Sequence, residues 1–479
     1  MAYPFGAFRP DVGGPNSGFA KQADSVLPQA AGSGGIGYGP FPQLVTVTGA
    51  TALSGAPRGN ISLVKFDGTW QVFYGTASTI EQLSASYGFT SISTGHSVTS
   101  GDDWSFLHFG SYLLNTNTTD GFRAYNVETP AGNNTVSGAP SARSLFSCNN
   151  VVFALDCDGN NRRMQSSGLG DHTAWTSKGA NGKTFEDGGA LICGVDLKNG
   201  AAVVFQDSAI RLIQFGGAPG GSLYSISKIA DGRGAVSERS VVSIDGMIFY
   251  LASDGFYKLT LGGNEPIGAE KVNRWFLSQV AVADLPNVQG AIDPKNKIVA
   301  WRYSATKLLC YDWQLQEWFT VTASTSSLSR LATPGYTIDD IDSFGVLDAI
   351  TVPFDDRFWQ GGQPVFAALD ADYKYATFSG TPMAATLETC VFDTPSQDLI
   401  NFIIGEDDNP GGTLQVGASN MLSTSPTFDS AVTRGSRTGR FPVRARGSSM
   451  AFRRNMAAGE TWTYANGVKF PQKAQGGVG

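Results

Sequence analysis

The chain has 479 residues, a formal net charge of −7, 59 glycines and 11% aromatic residues. Its length accommodates several hydrophobic cores or one large β array, and the glycine and aromatic content is typical of many short strands with tight turns. The negative charge argues against general wrapping of nucleic acid, and no apolar run approaches the roughly 20 residues needed to span a membrane.

The cysteines and the first residues bear on where the protein folds. Five cysteines show no metal-ligand spacing, and their odd number argues against a complete disulfide framework. We expect them to be small buried hydrophobic residues in a reducing cytoplasm. The sequence begins without a charged segment followed by an apolar one, so we expect no signal peptide. The cysteines are Cys148, Cys157, Cys193, Cys310 and Cys390.

Residues 1–57 are predicted to form an extended N-terminal arm. This segment is rich in glycine and proline, and it cannot bury enough apolar area alone to offset the entropy of ordering it. Its scattered aromatic residues favour an arm that docks over its own body or over a neighbouring copy, and a flexible tail is the alternative. These aromatic residues are Phe5, Phe8, Phe19, Tyr38 and Phe41.

Residues 58–395 are predicted to form an all-β body that resembles a β-propeller. Turn-bounded groups of strands begin at intervals of about 40 to 50 residues, the repeat length of a four-stranded blade. Seven Asp-Gly pairs fall mostly between apolar runs, and a pair such as Asp245–Gly246 is a strong hairpin signal. The length accommodates about six to eight blades, and their radial arrangement leaves only short protected edges. The best helix candidate is 268–280.

Residues 396–479 are predicted to form a small β-sandwich packed on the propeller. Positions 401–479 hold nine Lys/Arg and five Asp/Glu, a balance of +4, whereas the other 400 residues hold 25 and 36, a balance of −11. This asymmetry indicates a cationic face that meets an acidic partner surface, such as the next copy of the chain. A solvated basic face and a DNA-binding face stay open as alternatives. The candidate interface residues are Arg440, Arg444, Arg446, Arg453 and Arg454.

Little in the sequence is typical of catalysis. The three histidines, His96, His108 and His172, share no ligand spacing and are expected to be surface or hydrogen-bonded residues. Adjacent acids are expected on solvated loops, because a glycosidase needs two carboxylates at a fixed separation in a cleft. We predict no catalytic, cofactor-binding or metal-binding residues, and therefore no enzyme. The acid clusters are Asp102–Asp103, Asp339–Asp340 with Asp342, and Asp355–Asp356.

Three short stretches resemble functional motifs but lack essential parts. Residues 156–160 resemble a calcium loop without its glycine and closing glutamate, so a hairpin tip is preferred. Residues 66–70 resemble the end of a sialidase Asp-box, but Lys65 stands where a Ser or Thr belongs, and a hairpin is the simpler interpretation. Residues 216–221 are glycine-rich, but neither Lys-Ser/Thr nor a helix follows, so they are not a phosphate loop.

Three strings between positions 201 and 276 carry a family resemblance. Val203–Arg211, Tyr250–Tyr257 and Pro266–Phe276 resemble the tail-nozzle, or packaged-DNA-stabilisation, proteins of short-tailed bacteriophages. Those are structural virion proteins with a β-propeller body. No single string is a diagnostic motif, and the weight of the resemblance comes from their order and spacing over nearly the whole chain. Further similar strings lie at 26–28, 38–42, 62–70, 74–76, 290–297, 333–337, 356–359 and 376–380.

The resemblance implies a structural protein of the virion tail, assembled in the host cytoplasm. It implies a homohexameric ring below the head-to-tail adaptor, around a channel through which double-stranded DNA passes on ejection, and a part in retaining packaged DNA. The implied partners are further copies of the chain, the adaptor or connector proteins, tailspikes or fibres, and a tail plug or needle, with no membrane insertion. An acidic body suits this role physically, since a wall that repels phosphates lets DNA slide.

The alternative is a carbohydrate-binding or glycoside-cleaving propeller, such as a tailspike or receptor-binding protein. Such a protein is expected to show an Asp-box in each blade or a clear pair of catalytic acids, and the sequence shows neither. The absence of both features favours the virion component. Charged residues make up only 16% of the chain, which indicates a surface covered by partners, and a large core alone is the alternative explanation for part of it.

Overall fold

A computed structural model describes residues 2–32, 34–84, 86–99, 101–216, 223–332, 364–393, 399–421 and 426–470. The N-terminal arm contributes five short strands. They are β1 (Ala2–Pro4), β2 (Gln22–Asp24), β3 (Val26–Ala30), β4 (Ile36–Pro40) and β5 (Pro42–Thr46).

Seven antiparallel groups of four strands follow, which we call blades 1 to 7. Within blades 1 to 6 the strand order equals the chain order, so each blade is a meander. Blade 1 holds β6 (Asn60–Val64), β7 (Trp70–Gly75), β8 (Thr79–Leu83) and β9 (Phe89–Thr94); blade 2 holds β10 (Ser105–Phe109), β11 (Tyr112–Thr116), β12 (Arg123–Asn126) and β13 (Asn133–Thr135). Blade 3 holds β14 (Ala142–Cys148), β15 (Val151–Cys157), β16 (Asn160–Ser166) and β17 (Asn181–Thr184); blade 4 holds β18 (Leu191–Lys198), β19 (Ala201–Gln206), β20 (Ala209–Phe215) and β21 (Tyr224–Asp231).

The later blades follow the same plan. Blade 5 holds β22 (Val242–Ile244), β23 (Met247–Ala252), β24 (Gly255–Thr260) and β25 (Gly263–Pro266), and the helix α1 (Asn273–Gln279) comes after it. Blade 6 holds β26 (Gln289–Asp293), β27 (Ile298–Arg302), β28 (Lys307–Asp312) and β29 (Glu317–Thr322); blade 7 holds β30 (Ser327–Ala332), β31 (Pro364–Leu369) and β32 (Tyr375–Pro382). Short 3-10 helices at Glu238–Ser240 and Val282–Asn287 precede blades 5 and 6.

The blades close into a ring, and the arm supplies the last strand. The first strand of each blade is its inner strand, and β30 of blade 7 lies beside β6 of blade 1. Strand β5 completes blade 7 by pairing with β32, for example Val45 with Thr377. Because blade 7 combines a strand of the N-terminal arm with the last three strands of the propeller, the ring is closed by backbone hydrogen bonds. The all-β, propeller-like fold predicted from the sequence is confirmed, and the described residues form seven blades.

Burial on both faces explains the continuous apolar runs of the middle strands. In β19, Ala202 and Val204 pack in a core shared with blade 3, whereas Val203 and Phe205 pack in a core shared with blade 5. Side chains alternate between the faces of a strand, so a blade with a neighbour on each side buries both sets. All five cysteines are buried and unpaired, as predicted.

The C-terminal unit is built jointly by both ends of the chain. Strand β2 lies between β29 of blade 6 and β33, so one ten-stranded sheet runs from the propeller into this unit, while β41 pairs with β1, β4 and β36. The predicted division into residues 1–57 and 396–479 therefore differs from the observed one. The remaining strands are β33 (Ala385–Glu388), β34 (Phe392–Asp393), β35 (Leu399–Ile400), β36 (Ile404–Asp407), β37 (Thr413–Ser419), β38 (Val432–Thr433), β39 (Ala445–Arg446), β40 (Ser449–Met456) and β41 (Ala465–Lys469).

The arm also fixes the helix α1, which lies inside the predicted 268–280 segment. The Asp11 carboxylate accepts hydrogen bonds from the backbone N–H groups of Arg274 (2.9 Å) and Trp275 (2.7 Å). These amides have no partner within the helix, so a distant residue takes the place of an N-cap. Trp275 is half-buried, and its ring meets Phe8 of the arm edge-on at 5.6 Å. No helix in the described part of the chain is long and apolar enough to cross a bilayer.

Candidate functional site

A cavity of about 720 Å³ lies where the seven inner strands begin. Its wall takes residues from every blade, so it lies on the propeller axis, and we call it the axial cavity. The side chains that matter for its chemistry are Arg58, Asp102, Asp103, Arg143, Glu238 and Arg239.

Glu238 stands at the start of the 3-10 helix that precedes blade 5. Its Oε1 accepts a hydrogen bond of 2.8 Å from the Ser105 hydroxyl. The pKa of Glu238 is raised to about 7, chiefly because the blades enclose the carboxyl group. Hydrogen bonds from the Ser105 and Ser144 hydroxyls act to lower this pKa, and the nearby Asp103 carboxylate acts to raise it. Near neutral pH this carboxyl group therefore exists in both protonation states.

The other acids of the cavity are already partnered. Asp103 forms an ion pair with Arg239. Asp102 accepts hydrogen bonds from the Asp103 N–H (3.0 Å) and the Thr118 N–H (3.1 Å). The expectation of a solvated loop is wrong for Asp102, which is only 7% exposed, because its carboxylate holds the turn that starts at Thr118 against its own loop.

Two of the three arginines that line the cavity are also already partnered. Arg58 donates to the carbonyl oxygens of Val98, at 2.8 Å, and Thr99, and Arg239 is paired with Asp103. Arg143 is exposed at the second position of β14, and no side-chain hydrogen bond or ion pair joins it to another described residue. At longer range its charge acts to lower the pKa values of Glu238 and Asp156. Arg143 is therefore the cavity cation available to a ligand.

His96 is held in structural contacts. His96 is buried in the connection between blades 1 and 2; its Nε2 lies 2.8 Å from Ser93 Oγ, and its Nδ1 lies 3.5 Å from the Asp120 carboxylate. The arrangement resembles a nucleophile triad, but it ties two loops together across a blade boundary, with Trp104 against the ring at 4.9 Å. Burial lowers the pKa of His96, and the Asp120 carboxylate opposes part of that shift. The prediction of a hydrogen-bonded histidine is confirmed for His96.

The five predicted interface arginines are not brought together. Arg454 is fully buried, and it binds Asp407 through Nε at 3.1 Å and Nη2 at 3.0 Å. Arg453 pairs with Glu388 at 2.7 Å and lies over the Phe428 ring. Arg454 therefore cannot take part in a surface interface, because its side chain is buried and bonded to Asp407 inside the C-terminal unit.

The remaining three arginines lie on the surface. Arg444 and Arg446 are both exposed, while the residues between and beside them, Val443 and Ala445, are buried. This alternation puts the two arginines on one face of an extended segment that ends in the two-residue strand at 445–446. Arg440 is also exposed and lies over the Phe402 ring at 4.2 Å. We call these three residues the basic face.

Sequence reasoning missed the buried ionic cluster of the C-terminal unit. Asp407, only 1% exposed in its side chain, also pairs with Arg434 at 2.7 Å. A signal was present, since Arg454 alternates in sequence with the apolar residues Phe452 and Met456, and a buried cation in such a row needs a partner. The tract 216–221, apart from Gly216, and the acids at 339–356 lie outside the described residues.

The motif-like stretches that are described form hairpins, as predicted. Residues 66–69 form the tip between β6 and β7, where the Asp67 carboxylate accepts a 2.9 Å hydrogen bond from the Thr69 N–H. Residues 158–159 form the tip between β15 and β16. Across the part of the chain that the structure describes, no group of three or more His, Cys, Asp or Glu side chains could hold a metal ion.

No protein-family model and no curated protein matches the chain. Among solved structures, it is similar to the Myceliophteria thermophila Cps50 (Swd1) β-propeller domain, at 10% identity and a TM-score of 0.38 over 60% of this chain and 95% of that one. It is also similar to the RRP9 WD40 repeats, at 11% identity and a TM-score of 0.38 over 60% of this chain and 88% of that one. A third similar structure is BBS1N in complex with ARL6DN, at 10% identity and a TM-score of 0.40 over 71% of this chain and 99% of that one. Likeness at this level carries no inference about function.

Proposed function

We propose that this protein is a structural component of a short-tailed phage virion, the ring-forming nozzle below the head-to-tail adaptor. The observation that carries the proposal is the ordered set of strings that resemble the nozzle family over nearly the whole chain. On this proposal the assembled ring surrounds the path of the DNA and helps to retain it after packaging.

The positions of the strings support the proposal. Val203–Arg211 covers most of β19 and the start of β20, and Tyr250–Tyr257 is the hairpin of β23 and β24. Pro266–Phe276 runs into α1, where Asp11 of the arm binds. The first two segments are mostly buried strands, and the third is a partly exposed connection that ends in the buried Phe276, so the resemblance concerns the body and the attachment of its arm.

The charge distribution also supports a ring of identical copies. The first 400 residues carry a balance of −11, and the basic face projects from a unit with a balance of +4. A basic face on one copy and an acidic body on the next form a head-to-tail contact, which generates a closed ring when the rotation closes. Low overall charge suits a surface that is largely covered in the assembly.

Particles made without this protein provide the functional test. We expect them to package DNA, lose it on standing, and lack the part of the tail below the adaptor. Supplying the purified full-length chain is expected to restore both DNA retention and the missing tail density. Particles that keep their DNA and carry a complete tail without this protein would overturn the proposal.

A further inference from the structure

We propose that the axial cavity is a binding site for a small acidic sugar, one carboxylate on a polyhydroxylated ring, with Arg143 taking the carboxylate. The inference concerns the single chain and does not depend on the proposed ring. Its failure would leave the nozzle proposal untouched, and the reverse also holds.

The size and construction of the cavity suit a small ligand. Its volume of about 720 Å³ falls within the range of roughly 300–1,000 Å³ that is typical of ligand pockets. Its wall is made from inner strands and the loops that enter them, and neighbouring blades pack on both sides of each strand. A site on such a frame is largely formed before the ligand arrives, which lowers the entropic cost of binding.

Arg143, the cavity arginine without a close partner, determines which charge is expected on the ligand. Asp102 and Asp103 are occupied by a turn and by Arg239, and Arg58 is occupied by two carbonyl groups. Arg143 is the exposed cation that remains, and a guanidinium group binds a carboxylate through two parallel hydrogen bonds. An anionic group on the ligand is therefore favoured over a cationic one.

The rest of the wall suits a hydroxylated ring. Ser243 and Asn287 are exposed polar side chains of the lining, and Glu238 brings a carboxyl group that accepts or donates hydrogen bonds near neutral pH. Half-buried apolar residues, Phe106 and Ile192 among them, alternate with these groups. Sugars present hydroxyl edges and apolar C–H faces, and this mixture of side chains matches both.

Calorimetric titration of the purified full-length chain tests the site with three probes: D-glucuronate, D-glucose and sodium acetate. We expect glucuronate to bind at least about tenfold more tightly than either of the others, since glucose lacks the charge-assisted bond and acetate lacks the ring. Equal binding of glucuronate and glucose, or of glucuronate and acetate, would overturn the proposal. So would no measurable binding of glucuronate.

Two variants locate the binding. Arg143→Ala is expected to fold normally, because Arg143 is exposed and unpaired among the described residues, and to weaken glucuronate binding about tenfold with no effect on glucose. The matched control is Arg162→Ala, an exposed arginine of the same blade on β16, outside the cavity, whose guanidinium donates to the Glu186 carbonyl. Equal effects of the two variants would show binding elsewhere and contradict the proposal.

The pH dependence gives a second readout. Glu238 faces Asp103, Arg143 and the hydroxyls of Ser105 and Ser144, and its ionisation adds a negative charge beside the bound carboxylate. Glucuronate binding is expected to weaken between pH 6 and pH 8, and Glu238→Gln is expected to remove that dependence. A pH dependence that survives in Glu238→Gln would show that the carboxylate does not bind beside this residue.

Discussion

The propeller and the C-terminal unit are both β structures, but they are held together differently. Blades 2 to 5 are local meanders, and apolar cores join each to the next. The C-terminal unit draws strands from both ends of the chain and contains a buried cluster of Arg434, Asp407 and Arg454. Apolar blade faces tolerate many side chains of suitable size, whereas a buried ionic cluster requires every member.

The largest expected effect comes from breaking that cluster. Arg454→Ala leaves the Asp407 carboxylate buried with one partner fewer and removes a 2.8 Å hydrogen bond to the Gly411 carbonyl. We expect a loss of about 3–5 kcal/mol in the free energy of unfolding. Chemical denaturation measures it, with Arg444→Ala, a change at an exposed arginine of the same unit, as the control. An equal stability of the two variants would contradict the description of Arg454 as a buried structural ion.

In the propeller, the ionisable group Glu238 of the axial cavity makes the stability depend on pH. The pKa of Glu238 is raised in the folded chain from its usual 4.5 to about 7. The contribution of Glu238 to the free energy of unfolding is therefore fully present below pH 4.5. It is lost as the pH rises through 7, because the carboxyl group ionises more easily in the unfolded chain.

Glu238→Gln is expected to stabilise the protein at pH 8 by about 1–3 kcal/mol relative to the natural chain, with little difference at pH 4.5. Thermal unfolding at the two pH values measures the difference between the variants. A destabilised variant at pH 8 would mean that the ionised carboxylate is needed in the cavity.

A smaller effect is expected where the arm joins the propeller. Asp11→Ala removes two hydrogen bonds to the first amides of α1, at a cost of about 1 kcal/mol, the usual value of a helix cap. Asp11→Asn keeps an acceptor and is expected to lose less than half as much. Hydrogen exchange of the Arg274 and Trp275 amides should speed up in Asp11→Ala, and unchanged exchange would show that the arm does not cap the helix.

The smallest effect on stability is expected on the basic face. Changing Arg444 and Arg446 to Glu alters exposed side chains, so the free energy of unfolding should move by less than about 0.5 kcal/mol. Assembly should nevertheless be blocked, and assembly of the natural chain should weaken with salt, because exposed charges are screened over about 8–10 Å. The control is Arg162→Glu. A double variant that assembles normally would leave the basic face solvated.

The propeller was predictable from the sequence because its signals are local. Asp245–Gly246 turns one hairpin, and the alternation of β19 and its neighbours repeats over each blade. The C-terminal unit was less predictable, since β2 pairs with distant parts of the chain: Asp24 lies opposite Thr320 in β29, and residues 22–24 lie opposite residues 386–388 in β33. The axial cavity was missed for the same reason: Arg143, Glu238 and Asp103 belong to three blades and meet only when the ring closes.

The most direct test of the central claim is electron microscopy of the purified full-length chain mixed with adaptor-loaded connectors. We predict a closed ring of six copies on the adaptor end, with a central hole wide enough for double-stranded DNA, and no ring with the Arg444, Arg446 double glutamate variant. Single unassembled particles in the presence of the adaptor would contradict the nozzle account.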